Sequence, residues 1–400
     1  MIRAEVQRAL DRALEGHATT AEEALLLAEV RGPELQALAR TADELRRRQA
    51  GDVVTYVVNR NLNFTNVCIK NCGFCAFSRD HRTEEAYFLP LDEILRRAGE
   101  AVALGATEVC LQAGLPPKLE GDFYPRLVRA LKERFPKLHL HAFSPEEVLY
   151  GAIRSGRTVE DYLRELRDAG LDTLPGTSAE LLVQEMRDRI SPGRISVDRW
   201  VEVVTTAHRL GLRTTSTMMY GHLDEARHRV EHLLLLRDLQ ERTGGFTEFV
   251  PLSFVHAEAP MFATMPGVRA GATGAEVLNL HALARLVLGP TFRNIQASWV
   301  KEGPRLAQLL LDAGCNDLGG TLMNESISTS AGAGFGQLLA PRELRRLIRD
   351  AGREPARRNT RYELLPDGEV ALDEVEDAGS RFGSYEDLAR SGEFRYRPAR

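Results

Sequence analysis

Apolar positions recur at helical spacing from 2 to 48, with Leu25, Leu26, Leu35 and Leu38 among them and with Thr20 and Pro33 where helices start. The stretch 52–65 then turns rich in β-branched and aromatic residues, Val53, Val54, Tyr56, Val57 and Val58, and predicts a strand. Beyond it one punctuation repeats. A helical stretch ends at Gly105, Gly170, Gly211 or Gly314, and an apolar strand begins soon after, as expected of helices closed by a C-terminal glycine. Strands are predicted at 52–65, 108–113, 138–143, 173–177, 213–220, 248–254, 294–299 and 316–321. Alternating helix and strand implies parallel βα units. Eight of them in roughly 270 residues predict an α/β fold of the closed (β/α)8 TIM type, since open doubly wound sheets carry fewer strands. No glycine-rich dinucleotide fingerprint follows the first strand.

The same pattern divides the chain into a helical N-terminal extension at 1–50, a barrel at 51–340 and a helix packed on the barrel at 341–365. Eight arginines stand against three acids in 341–361, and Leu344, Leu347 and Ile348 give that stretch one apolar face. The tail 366–400 begins acidic, with six acids and no base in 366–377, continues polar, and is expected to be loosely attached.

Composition narrows the function classes. Four hundred residues at 43% hydrophobic content bury a large core, and a net charge of -5 gives no basic footprint for nucleic acid. No stretch approaches a membrane span, and the N-terminus lacks the uninterrupted apolar core of a signal peptide. Five cysteines, three of them clustered, do not form a disulfide framework, so a reducing cytoplasm is expected. Cys110 and Cys315 stand apart in apolar, strand-like surroundings.

The cluster carries the chemistry. Cys68, Cys72 and Cys75 follow the spacing Cys-x3-Cys-x2-Cys, with Lys70, Asn71 and Gly73 making the segment a loop. Three soft thiolates on one loop suit an iron–sulfur cluster, and a cubane held by three cysteines leaves one iron open to a further ligand. Zinc bound by the three thiols and His81 is the competing metal reading, but structural zinc sites usually pair two short ligand clusters and one is present here. The cysteine spacing, with Phe74 just before the last thiol, resembles the signature of the radical S-adenosylmethionine (SAM) enzymes, in which SAM chelates the open iron.

In such a barrel the active site lies at the C-terminal ends of the strands. Those ends carry Gln112, His141, Ser178, Glu180, Tyr220, His222, Gln296, Ser298, Asn324 and Glu325. Ser178 also suits a helix cap, and Glu180 suits the first turn of the helix it would cap. His139, one residue from a likely inward position, is expected to have the alternate facing and reads as structural.

The runs Asn-Phe-Thr-Asn-Val-Cys, Cys-Gly-Phe-Cys-Ala-Phe, His-Ala-Phe-Ser-Pro-Glu-Glu, Leu-Pro-Gly-Thr-Ser-Ala-Glu, Ile-Ser-Pro-Gly-Arg-Ile-Ser, Ser-Thr-Met-Met-Tyr-Gly-His and Asp-Leu-Gly-Gly-Thr-Leu-Met-Asn-Glu-Ser-Ile-Ser resemble the 5-amino-6-(D-ribitylamino)uracil–L-tyrosine 4-hydroxyphenyl transferase family over about 53–361. That family is one half of FO synthase, which makes the deazaflavin precursor of coenzyme F-420. Radical SAM enzymes of the futalosine route to menaquinone share the cysteine loop and the His-Ala-Phe-Ser run and are the alternative; Gln112–Pro117 and Ile295–Lys301 favour the transferase.

The resemblance implies a 4Fe–4S cluster on Cys68, Cys72 and Cys75, and SAM held near Phe74, Gln112, Ser178, Glu180 and Arg194. It implies L-tyrosine and 5-amino-6-(D-ribitylamino)uracil as substrates, with His141, Tyr220, His222, Asn324 and Glu325 as candidate contacts. It implies an electron donor such as ferredoxin or flavodoxin, and a separate cyclising FO synthase subunit acting on the product. A non-catalytic iron–sulfur protein is the reading from another class; it leaves the polar strand ends without purpose.

Overall fold

The computed structural model describes residues 1–366, 368–376 and 381–397. Three helices, Ala4–Leu14, Ala21–Ala28 and Gly32–Ala50, lead in. Thr20 caps the second by accepting from the Glu23 amide, Glu23 returns the bond, and Pro33 opens the third. Their apolar faces bury Val6, Leu10, Leu27, Leu35 and Leu38, and the second and third pack against the helix Gly274–Leu288.

The strands are β1 (Val53–Val57), β2 (Asn59–Leu62), β3 (Glu108–Leu111), β4 (His139–Ala142), β5 (Thr173–Leu174), β6 (Arg213–Tyr220), β7 (Phe246–Ser253), β8 (Asp317–Gly320) and β9 (Glu354–Arg357). β2 to β7 form one parallel sheet in chain order, and β8, β1 and β9 form another. Single bridges join the two. Residues 295 and 296 pair with Phe249 on one side and Asp317 on the other, and Arg60 pairs with Met323. With β1 and β2 as consecutive parts of one strand, eight staves close into the (β/α)8 barrel the sequence predicts. The four helix-ending glycines, Gly105, Gly170, Gly211 and Gly314, all have positive φ, which a residue without Cβ adopts at no steric cost.

Two staves are shorter than the sequence suggests. β5 ends at Leu174 because Pro175 has no amide hydrogen to give the ladder. The 294–299 stave makes two bridges before the helix Trp299–Glu302 begins.

The C-terminal stretches differ from expectation. The single helix expected at 341–365 is instead the helix Pro341–Asp350 followed by β9, which runs parallel to β1 with Val53 opposite Glu354 and Tyr56 opposite Arg357. Pro355 excludes a helix interior there, and the unpaired edge of β1 accepts the strand. Arg358, Thr360 and Tyr362 then enter the N-terminal end of the barrel. Arg358 donates to both Asp317 oxygens (2.6 and 3.0 Å), Tyr362 donates to Glu248 (2.5 Å), and Thr360 donates to Glu108. β9 and its sequel thus floor the barrel.

The tail expected to be loose is docked where it is described, while 367, 377–380 and 398–400 lie outside the described residues. Leu372 is fully buried and its amide donates to Leu104, and Asp373 accepts from the Arg342 amide (2.6 Å) and the Arg345 guanidinium (3.0 Å). Phe382 lies 4.9 Å under the Arg60 guanidinium, and Phe394 and Tyr396 exchange backbone bonds with Phe88 and Ala86. One acid of the tail, Asp373, thus finds its partners in the arginine-rich helix before it, a pairing that composition alone does not reveal. Among the described residues no helix is long and apolar enough to cross a membrane.

Candidate active site

A cavity of about 390 Å³ opens at the C-terminal ends of the strands and is lined by all three clustered cysteines, Cys68, Cys72 and Cys75. The loop that carries them is fastened on three sides. The Ile69 amide donates to Leu115 (2.9 Å), the Gly73 amide to Ile190 (2.8 Å) and the Met261 amide to the Gly73 carbonyl (2.7 Å). Gly114 makes the first contact possible: a Cβ there would stand 2.2 Å from the Val67 carbonyl oxygen. All five cysteines carry free thiols. Burial pushes the Cys72 thiol up to about 11, opposed by the Arg194 guanidinium beside it, whose Nη1 lies 3.5 Å from Cys72 Sγ.

Arg194 organises this side of the cavity. It donates to Ser178 Oγ (2.9 Å), pairs with Glu180 Oε1 (2.9 Å), lies 3.7 Å from Glu146 and stacks 5.3 Å over the Phe74 ring. Burial disfavours its charge, but Cys72, Glu180 and Glu146 outweigh that and hold it well above the usual arginine range. Ser178 and Glu180 sit at φ 60° and 46°, a region costly for residues with a Cβ. Neither caps a helix: the next one, Gln184–Ile190, starts after Val183. The capping and dipole readings are therefore overturned, because the strained turn aims both side chains at Arg194 instead. Gln112 lines the same cavity, its Oε1 accepting from Thr177 (3.1 Å).

Of the residues expected at the substrates, His141 and Glu325 line the cavity and Tyr220, His222 and Asn324 do not. Burial lowers the His141 ring to about 4, so it is neutral, hydrogen-bonded through Nδ1 to Thr173 (2.7 Å); His139, expected to face the other way, lies two residues earlier on the same face of the strand and binds the same hydroxyl through Nε2 (2.8 Å). Glu325 accepts from Asn61 and from the Ser328 amide (2.5 Å). Tyr220 points away from the cavity, its hydroxyl 3.4 Å from Glu302 in the wall behind it. His222 is buried outside it and accepts from the Leu223 amide (2.7 Å). Asn324 turns outward in a left-handed conformation toward Arg60 (3.2 Å) and the tail. Alternation along a strand and in the following turn decides which of these side chains look inward, and strand-end position alone does not fix it.

Other cavity residues escaped the sequence reading. Glu146 and Glu147 look like capping residues after Ser144, and Glu147 does close a capping box. Glu146 nevertheless faces the cavity, 3.2 Å from Lys70 and accepting from the Ile195 amide (2.6 Å). Cys110, read as packed in a strand, lines the cavity beneath Gln112, whose amide donates to its sulfur (3.4 Å). Burial and the nearby Glu108 push that thiol far above its ordinary range and keep it protonated. Lys301, Glu248, Arg358 and Thr360 also reach in. The last two follow directly on β9, which no local pattern marks as part of the barrel.

The sequence matches the Radical SAM superfamily over residues 62–236 and the CofH/MqnC C-terminal region over residues 243–370. It is 50% identical over 365 residues to the 5-amino-6-(D-ribitylamino)uracil–L-tyrosine 4-hydroxyphenyl transferase of Methanothermobacter thermautotrophicus, covering 90% of this chain and 97% of that protein. It is 49% identical over 358 residues to the FO synthase of Mycobacterium tuberculosis, covering 90% of this chain and 42% of that longer protein. Among solved structures, methylornithine synthase superposes with a TM-score of 0.65 at 20% identity, over 87% of this chain and 97% of that one, a likeness of fold. A 4Fe–4S cluster and SAM are the cofactors this superfamily implies. With the three cysteines facing one cavity and half of all aligned residues shared with a full-length relative, the chain belongs to the radical SAM family of 5-amino-6-(D-ribitylamino)uracil–L-tyrosine 4-hydroxyphenyl transferases.

Proposed function

We propose that the protein cleaves the Cα–Cβ bond of L-tyrosine and transfers the 4-hydroxybenzyl group to C5 of 5-amino-6-(D-ribitylamino)uracil, the tyrosine remainder leaving as a glycine imine. The observation that carries this is the convergence of three free thiols and the Arg194–Glu180–Ser178 network on one enclosed cavity. The donor set fits a cluster: three soft sulfurs carried on one fastened loop line one cavity. His81, the fourth ligand of the zinc alternative, lies 3.6 Å from Asp80.

Cys68, Cys72 and Cys75 would hold the cluster, and the cluster with SAM would supply a 5'-deoxyadenosyl radical able to abstract hydrogen from the tyrosine amino group. Glu180 can accept from ribose hydroxyls, Arg194 braces Glu180 and Ser178 on the SAM side of the cavity, and Phe74 offers a flat apolar face beside them. Gln112 and Ser178 complete that wall. Deeper in, Asn61, Gln296 and Glu325 alternate donors and acceptors as the imide edge and polyol of the second substrate do. Burial raises Glu147 and Glu248 each to about 7, so near neutrality both can donate as well as accept. The barrel and its β9 floor exclude water and hold the reacting carbons in contact, as a free radical requires. A ferredoxin or flavodoxin would reduce the cluster, a separate subunit would cyclise the product, and the free thiols support a reducing cytoplasm as the setting.

Tyrosine labelled with carbon-13 at Cβ tests the reading. The label should appear at C5 of the uracil, with glyoxylate formed from the hydrolysed imine. Turnover of a futalosine-type nucleoside without tyrosine would overturn the assignment.

A further inference from the structure

Four cationic side chains line the cavity: Lys70, Arg194, Lys301 and Arg358. Three are committed. Lys70 donates to the Gly193 carbonyl (2.5 Å) and lies 3.2 Å from Glu146. Arg194 is divided among Ser178, Glu180 and Glu146, and Arg358 is locked on Asp317 at the floor. The Lys301 ammonium alone of the four makes no hydrogen bond or ion pair among the described residues.

The segment around it is rigid. Trp299 Nε1 donates to the Gly320 carbonyl (2.8 Å), and Glu302 accepts from the Ser253 amide (3.2 Å) and the Tyr220 hydroxyl (3.4 Å). These anchors on either side fix the short helix Trp299–Glu302 and leave Lys301 directed into the cavity. The surrounding acids are engaged elsewhere: Glu325 with Asn61 and Ser328, Glu180 with Arg194, and Glu302 as above. Burial weakens the hold of Lys301 on its proton, while Glu325, Glu302 and Glu180 counteract it from a distance. Lys301 is half-buried with its ammonium open to the cavity and unpaired, and a lone cation fixed in such a low-dielectric pocket is a receptor for an anion that arrives.

Of the two substrates proposed above, the ribityl-uracil is a polyol on an uncharged ring, whereas tyrosine brings a carboxylate. We propose that Lys301 receives the carboxylate of the amino-acid substrate and thereby orients its amino group and Cβ in the cavity. This rests on the transferase reading. An ammonium serves such a carboxylate as a point charge, and a charge-assisted hydrogen bond of this kind is worth a factor of ~10–100 in affinity.

The test compares tyrosine with tyramine, which lacks only the carboxylate, by calorimetric titration of the anaerobically reconstituted protein loaded with SAM. The wild type should bind tyrosine ~10–100-fold more tightly than tyramine. Lys301→Met, similar in length and uncharged, should erase that preference and leave tyramine and SAM affinities unchanged, which also shows that the variant is folded. Lys301→Arg should restore part of the preference. A Met variant that still prefers tyrosine overturns the proposal. So does one that loses tyramine as well, or one that loses SAM, since the lysine would then serve another role or SAM's own carboxylate. A wild type that binds no tyrosine overturns the transferase reading itself, and this assignment with it.

Discussion

Replacing Arg358 by leucine should unfasten the barrel floor. Its guanidinium reaches Asp317 through two bonds of 2.6 and 3.0 Å, lies 3.7 Å from Glu248 and stands 4.0 Å over the Tyr362 ring, and the whole group is buried. Leucine fills much of the volume but leaves two interior carboxylates without their cation. Breaking a buried pair from one side costs ~3–5 kcal/mol. For a chain this long, with a urea m-value of about 3 kcal/mol/M, the unfolding midpoint should fall by roughly 1–1.7 M.

The loss should also depend on pH. Burial raises Glu248 to about 7 against the pull of Arg358, above the ~4.3 of an unfolded glutamate. A carboxyl whose folded pKa is raised contributes stability that is full below the unfolded value and lost as pH rises through the folded one. Without Arg358 the folded value climbs further, so the variant should lose more stability relative to wild type at pH 8 than at pH 6. Arg358→Lys, which keeps the charge but not the fork, should fall between the two. Urea titrations followed by circular dichroism at both pH values read this directly. A midpoint shift below about 0.3 M at pH 8, or a deficit that shrinks as pH rises, would refute the assignment of β9 as a structural floor.

Other perturbations separate the site from its scaffold. Cys72→Ser should abolish iron–sulfur absorbance and 5'-deoxyadenosine formation while leaving the circular dichroism spectrum intact, because serine is a poor iron ligand; a normal 5'-deoxyadenosine yield would contradict the cluster assignment. Cys315→Ser should keep full iron content yet lose ~1–3 kcal/mol of stability, since the fully buried site offers the new hydroxyl little to bond; loss of iron from it would tell against the separation. Cys110→Ser should likewise keep its iron, and a fall in turnover from it would reflect its place under Gln112. Glu180→Gln should weaken SAM binding by ~10–100-fold in equilibrium titration and tyrosine binding far less, from the loss of a charge-assisted bond; equal SAM affinity would reduce Glu180 to a partner of Arg194.

The sequence by itself determined whatever depends on neighbours in the chain. The period of apolar residues and the glycine stops fix helices and strands, and four of those stops do adopt positive φ. Three thiols within eight residues must face one another across a loop whatever surrounds them, which is why the cysteine cluster was legible. Proximity across the barrel was not. Tyr220 and Asn324 stand at strand ends like Gln112 and Glu325, and only the side to which each turn directs them separates wall from lining. Glu146 reads as a capping neighbour until Lys70 and Arg194 come beside it from distant loops. β9 is the clearest case. Four residues with a proline carry no strong strand signal, and what makes them a strand is the open edge of β1, about three hundred residues earlier in sequence, which only the closed barrel presents to them.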